Sequence, residues 1–193
     1  MGCVSSKIKD NLDDGAIKGA GCIFTNYKLI LAGYQPYKKR PIISGIGGSC
    51  NKGENYIDTA IREMLEEIFG FEGDLTNLLV LIKTNVVPTK QIRNGDYISI
   101  IYSFDDLLSI ISILNTGFLT SKFYDIFPQN IEDILLKRKL IAGEEIQQLL
   151  LLPILHLEQG LKGGDRRPTV VAPLINTLPI ADDFIKDIHI LQR

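Results

Sequence analysis

Arg62-Glu63-Met64-Leu65-Glu66-Glu67 places three carboxylates and one guanidinium within six residues. Like charges three and four apart on a helix repel by roughly 0.2–0.5 kcal/mol per pair, so helix formation alone does not ask for this crowding. At about 100° per residue, Ile57, Ala60, Ile61, Met64 and Ile68 share one arc, the stripe of a core-facing helix. Glu63, Glu66 and Glu67 share another. Oxygen ligands gathered in this way suit a hard cation, Mg²⁺ or Mn²⁺, which would offset their repulsion. On charge alone the same arc also fits a solvated acidic face.

Spacing is more specific than charge. Gly48 is followed after five residues by Glu54, and Glu54 after seven by Arg62-Glu63-Met64-Leu65-Glu66-Glu67. This resembles the signature of the Nudix hydrolases, Gx5Ex7REUxEExGU, in which U is a bulky aliphatic residue. Gly48, Glu54, Arg62, Glu63, Met64, Glu66 and Glu67 all match it. The pattern departs after the carboxylates. Ile68-Phe69 precede Gly70, one residue more than the signature, and Phe71 takes the last aliphatic place. The added residue predicts a longer helix end before Gly70 closes it. Ile46 stands where many members have proline, and Asn51 where many have glutamate.

The resemblance implies an α/β fold, an α/β/α sandwich with a mixed β-sheet. It also implies metal-dependent hydrolysis of a diphosphate linked to another group, commonly in a nucleotide. By position, Glu63, Glu66 and Glu67 would ligate Mg²⁺ or Mn²⁺, with the Gly48 carbonyl as a further ligand. Arg62 would orient the glutamates, and Glu54 would brace the loop. The general base varies in this family: Glu66 or Glu67 could serve, and so could Glu144 or Glu145 ahead of the last apolar strand. Two other classes share the fold. One is a catalytically silent module that binds a nucleotide or RNA end. The other is diphosphate isomerisation, which wants a cysteine in the site, and Cys50 follows Gly48 closely.

Substrate contacts are sought in Tyr34-Gln35-Pro36-Tyr37-Lys38-Lys39-Arg40, where Tyr37 could stack a base and Lys39 and Arg40 could hold phosphates. A solvated basic turn fits the same residues. Lys90 and Arg93 are weaker candidates of the same kind, and Arg166 and Arg167 read as a solvated linker. The partner is a small diphosphate, most simply a nucleotide, with a capped RNA end as an alternative. The net charge of −2 and the lack of a long basic stripe count against extended RNA.

The elements that must position these groups follow from periodicity. Ala20–Thr25 and Lys28–Gly33 read as a hairpin across Asn26-Tyr27. Ile42–Ser44 reads as a short strand before a glycine-rich loop, and Tyr56–Phe69 as the acidic helix. Leu78–Val86 and Tyr97–Phe104 read as strands, joined by a loop, VPTKQIRNGD, with a turn at Asn94-Gly95. A helix starts at Asp105 with that side chain as its cap. Ile131–Leu140 reads as a helix, Gln147–Leu152 as a strand and Ala181–Leu191 as a helix. Helices and strands without a regular βαβ rhythm predict a mixed sheet with helices packed on it.

The chain has 193 residues, of which 45% are hydrophobic and 23% charged, enough for one core and one domain, 18–193, behind a polar tail, 1–17. The three cysteines and two histidines are scattered, which excludes a zinc motif or a disulfide framework and fits a reducing compartment. The longest apolar run, Leu149–Leu155, is too short to cross a bilayer. The N-terminus lacks the apolar segment of a secretory signal. Instead, MGCVSS fits the myristoylation pattern at Gly2, with Cys3 placed for palmitoylation as in the Src-type kinases. Two acyl chains would tether a cytoplasmic enzyme stably to a membrane face; one would hold it only marginally.

Overall fold

A computed structural model describes residues 17–116, 120–154 and 179–191. The first two strands are β1 (Gly19–Thr25) and β2 (Leu29–Gln35). The turn between them forms as expected: Asn26 Oδ1 accepts from the N–H groups of Lys28 and Leu29, and Tyr27 adopts φ 64°. The expected hairpin, however, survives as a single ladder pair, Thr25 with Ile30. Beyond it the strands part. β1 pairs antiparallel with β4 (Ile46–Ser49) and parallel with β6 (Tyr97–Ser103). β2 pairs antiparallel with β3 (Ile42–Ser44) and β7 (Gln148–Pro153). β5 (Lys90–Asn94) runs antiparallel to β6, which completes a seven-stranded mixed sheet. All seven residues of β1 are buried, as expected of a central strand covered on both faces.

Side-chain alternation sorts the strands onto two cores. Ala20, Cys22 and Phe24 of β1, with Ile98, Ile100 and Tyr102 of β6, face one helical layer. That layer is α1 (Tyr56–Phe69), α2 (Thr76–Asn85), α3 (Phe104–Asn115) and α4 (Ile131–Leu136). On the opposite face, Ile23, Ile30, Ala32 and Ile101 pack against α5 (Asp182–Leu191) through Phe184, Ile188 and Leu191. The architecture is the α/β/α sandwich expected.

Five local expectations are corrected. Leu78–Val86 is not a strand but most of α2. Leu75, Ile82 and Val86 are buried, and Leu78 and Leu79 are partly buried, while Val80 and Leu81 are exposed. That is helical spacing, which an unbroken apolar run conceals. The VPTKQIRNGD loop contains β5, although Asn94-Gly95 does form the turn, with Gly95 at φ 66°. Part of the glycine-rich loop, Ile46–Ser49, is strand β4. The cap of α3 is Ser103, not Asp105: Ser103 and Asp106 form a reciprocal capping box. The helix expected over Ile131–Leu140 stops at Leu136, and Arg138 turns inward. Gly2, Cys3, Arg166 and Arg167 lie outside the described residues.

Candidate active site

Helix α1 is built to present its carboxylates. Asn55 caps it by accepting from Asp58 N–H, and Gly70 closes it in the left-handed region at φ 67°, with its N–H on Glu66 O. The Gly70–Glu66 bond is that of the αL motif, and Phe71 N–H reaches further back, to Leu65 O. The helix therefore runs one residue further before its glycine, as the departure from the signature predicted. Phe71 is buried and stacks on Phe127.

Arg62 is the hub. Its Nε and Nη2 grip the two oxygens of Glu54 at 2.9 and 3.1 Å. Its Nη1 reaches Glu63 at 2.8 Å and Glu66 at 3.1 Å, and Nη2 also donates to Ser49 O at 3.0 Å. One guanidinium thus ties the loop to two carboxylates of the helix. Glu54 also accepts from Asn51 N–H and from the Thr59 hydroxyl. Burial alone would raise the Glu54 pKa, but Arg62, Asn51 and Thr59 together hold it below its ordinary value. The Arg62 charge is likewise secured, because Glu54, Glu63 and Glu66 outweigh the effect of burial.

Glu67 is held differently. Its Oε2 accepts from the backbone N–H of Gly47 at 2.7 Å. Burial, with Glu63 and Glu145 nearby, raises its pKa well above the ordinary carboxylate range, against the pull of the Gly47 N–H and Arg138. Burial raises Glu63 too, partly offset by Arg62. The glycines make these approaches possible. A Cβ on Gly48 would lie 2.6 Å from the Glu63 carboxyl carbon. On Gly47, at φ 149°, it would collide with Gly21 and the Tyr97 hydroxyl.

Glu63, Glu66, Glu67 and Glu145 line one cleft of about 380 Å³, with Lys122 and Arg138 as the cations on its wall. Arg138 is buried; it donates to Ile68 O and Ile146 O, both at 2.8 Å, and its guanidinium lies 3.6 Å above the Phe123 ring. It joins the end of α1 to the start of β7. Lys122 pairs with Glu72 and Glu144. Among the described residues no three carboxylate, thiol or imidazole groups converge as a finished metal cage. The reason is visible in the bonds: Glu63 and Glu66 turn toward Arg62, and Glu67 toward Gly47. The donor set nevertheless fits a hard cation. The three carboxylates are all oxygen donors lining one cleft, and the one cation paired with them, Arg62, reaches only Glu63 and Glu66 and is shared with Glu54.

A second cavity of about 1000 Å³ adjoins this cleft, with Glu145 lining both. Glu145 bonds to Gln35 at 3.2 Å and pairs with Lys38 at 2.7 Å. Lys39 and Arg40 line the larger cavity. Tyr37 is 64% exposed and is not among the residues lining it. Neither cavity is lined by Lys90, Arg93 or Cys50, so the isomerase reading loses its cysteine. Arg138, Lys122, Ser99 and Asp187 were not singled out by sequence. Each sits in a segment whose spacing reads as ordinary helix, strand or turn, and only packing turns it inward.

No family model matches the chain, and no curated protein does. Solved structures do resemble it. A Nudix hydrolase from Nitrosomonas europaea is 16% identical, over 92% of this chain and 91% of its own, with a TM-score of 0.40. A Nudix-family hydrolase from Clostridium perfringens is 14% identical, over 90% of this chain and 96% of its own, with a TM-score of 0.37. A bifunctional NMN adenylyltransferase/ADP ribose pyrophosphatase from Francisella tularensis, complexed with AMP and a Mn ion, is 13% identical at a TM-score of 0.43. The match covers 90% of this chain and 40% of the Francisella protein. Overall likeness this distant carries no argument about the site; the signature residues and their bonds do. In that signature, Gly48 to Glu67, folded as the end of β4, a loop and α1 clamped by Arg62, the chain resembles the Nudix hydrolases.

Proposed function

We propose that the chain is a divalent-metal-dependent hydrolase of diphosphate linkages in nucleotide derivatives. The observation that carries this reading is the single cleft lined by Glu63, Glu66, Glu67 and Glu145, its first three carboxylates on one turn-and-a-half of α1. Glu63, Glu66, Glu67 and the Gly48 carbonyl would hold Mg²⁺ or Mn²⁺, which lowers the pKa of bound water and neutralises charge on a leaving phosphate. The protein's own groups do the rest. Arg62 fixes Glu63 and Glu66 in place, and Glu54 holds Arg62 and the loop. Glu145, which lines both cavities, would take a proton from an attacking water, with Glu66, Glu67 and Glu144 as the other candidates. Lys39 and Arg40 supply positive charge for the substrate's phosphates.

The test is a hydrolysis panel with Mg²⁺ and Mn²⁺ over ADP-ribose, dinucleoside polyphosphates, nucleoside triphosphates, capped RNA and inositol pyrophosphates. A Glu67→Gln variant runs alongside. Turnover of one class by the wild type, lost in the variant and abolished by chelator, supports the reading. Tight binding of one class with no turnover of any would make the chain a silent binding module.

The tether is a separate proposal, supported by MGCVSS alone. No described helix is long and apolar enough to cross a membrane. Attachment to a cytoplasmic membrane face would therefore rest on myristoyl at Gly2 and palmitoyl at Cys3. A mass spectrum of protein made in eukaryotic cells that shows an unmodified Gly2 would refute it.

A further inference from the structure

The buried arginine in the wall of the acidic cleft makes two bonds that the proposed hydrolysis does not use. Arg138 Nη1 donates to Ile68 O and Nη2 to Ile146 O, both at 2.8 Å. Ile68 is the residue after Glu67, and Ile146 is the residue after Glu145. One planar guanidinium therefore spans the backbone beside two carboxylates that share the cleft. The Nη2 bond also closes a loop. The chain leaves Arg138, turns at Gly143 with φ 91°, and reaches Ile146 just ahead of β7. Glu144 and Glu145 lie on this loop. It is bonded within itself, because Glu144 N–H and the Gln147 side chain both donate to Ile141 O. Its distance from α1 is set at its base, where Arg138 sits.

Helix capping and packing do not account for the fork. The last turn of α1 has no basic residue of its own, and Nη1 on Ile68 O supplies the cation that a helix end favours. That role needs one nitrogen and leaves Nη2 free. The contact with the Phe123 ring is one that a methionine could also make. The charge, meanwhile, is poorly matched. Among the described residues no carboxylate forms an ion pair with Arg138. Its Nε is buried without a hydrogen-bond partner, and the Tyr124 hydroxyl beside it donates to Ile134 O. Burial holds its pKa below the ordinary value, against the effect of Tyr124, Glu67 and Glu144. A buried charge so incompletely paired is a burden on stability. What an apolar residue there would lack is a rigid two-pronged donor that holds Ile68 O and Ile146 O at one separation.

We propose that Arg138 is a positioning residue: it fixes the loop that bears Glu145 against the end of α1, and so sets how far the Glu145 carboxylate stands from Glu67. Gln35 and Lys38, in the larger cavity, hold the Glu145 side chain, and Arg138 holds the backbone beneath it. Arg62 orders the helix carboxylates among themselves; Arg138 orders the loop against the helix. Glu145 takes a proton from a water beside the helix glutamates only at the right separation, and a misplacement of about 1 Å is enough to slow such a step roughly 100-fold. This rests on the hydrolase reading above, and one arm of its test needs no turnover.

The experiment uses two variants of the full chain. Arg138→Met keeps contact with Phe123 and loses both bonds; Arg138→Lys keeps the charge but not the planar fork, and serves alone if the first variant does not fold. Crystal structures of wild type and variants should show Glu145 and Ile146 shifted by about 1 Å relative to α1, with the Arg62 clamp in place. Kinetics on the substrate class that the panel identifies should show kcat lowered by about 10–100-fold with KM little changed. In a Glu145→Gln background the same substitution should lower kcat no further. An arginine that served stability alone would lower the melting temperature and leave kcat of the folded enzyme as it was. The proposal is overturned if Glu145 keeps its wild-type place in the variants, if kcat is unchanged, or if the loss adds in full to that of Glu145→Gln. Absent turnover by the wild type would refute the hydrolase reading instead, and the structures would still decide whether Arg138 places Glu145.

Discussion

The backbone N–H of Gly47 donates to Glu67 Oε2 at 2.7 Å, a bond between β4 and α1 across twenty positions of sequence. It holds the most deeply set of the three helix carboxylates and leaves Glu63 and Glu66 to Arg62. Two different devices, a peptide N–H and a guanidinium, thus share the work of keeping like charges together.

Glu67→Gln should preserve the fold, because an amide oxygen can accept from Gly47 in the carboxylate's place. It also removes a charge that burial disfavours. The expected outcome is an unchanged or slightly higher melting temperature with hydrolysis reduced by roughly 100-fold or more. Thermal melts and initial rates on the same preparation check both halves; a variant that retains near wild-type rates would remove Glu67 from the chemistry.

Arg62→Lys keeps a positive charge but cannot make the five hydrogen bonds to Glu54, Glu63, Glu66 and Ser49 at once. Metal affinity or activity should fall by about 10–100-fold, the usual effect of losing a group that orients ligands. A Mn²⁺ titration of activity distinguishes the two: recovery at high metal assigns the loss to affinity.

Gly48→Ala would place its Cβ 2.6 Å from the Glu63 carboxyl carbon. The obstacle is the end of a flexible side chain, so Glu63 should swing away from Arg62 at modest cost to stability. Activity should drop by more than the melting temperature would suggest. A crystal structure of the variant with Glu63 undisplaced would contradict this account.

Glu54 gives a pH signature. Its folded pKa is below the ordinary value of 4.5, so its bonds stabilise the fold fully above that range. The contribution is lost as pH falls through the folded pKa. Glu54→Gln should therefore cost roughly 2–3 kcal/mol at pH 7, by analogy with hydrogen bonds to charged groups. The gap between variant and wild type should close as pH is lowered below about 4. Urea melts of both proteins across pH 3–7 measure it; a gap that stays constant would mean the Glu54 charge is not what matters.

The sequence by itself determined the acidic helix and its ends. The apolar stripe through Ala60, Ile61, Met64 and Ile68 needs a 3.6-residue period, and Gly70 needs the left-handed region, so both limits of α1 are local properties. The spacing of Gly48, Glu54 and Arg62 was legible for the same reason: one continuous segment, the end of β4, a loop and α1, holds the whole clamp. The sheet was less so. Tertiary contacts decided that β1 and β2 keep one pair and then take different partners, and that Leu78–Val86 is helix rather than strand. An apolar run is compatible with either element until its neighbours are known. The same holds for the groups that complete the two cavities. Glu145 shares a cleft with Glu63 and Glu67 only because β7 pairs with β2, and Asp187 meets Ser99 only because α5 packs on the far face of the sheet. Those contacts join residues up to eighty-eight positions apart, and no local period encodes them.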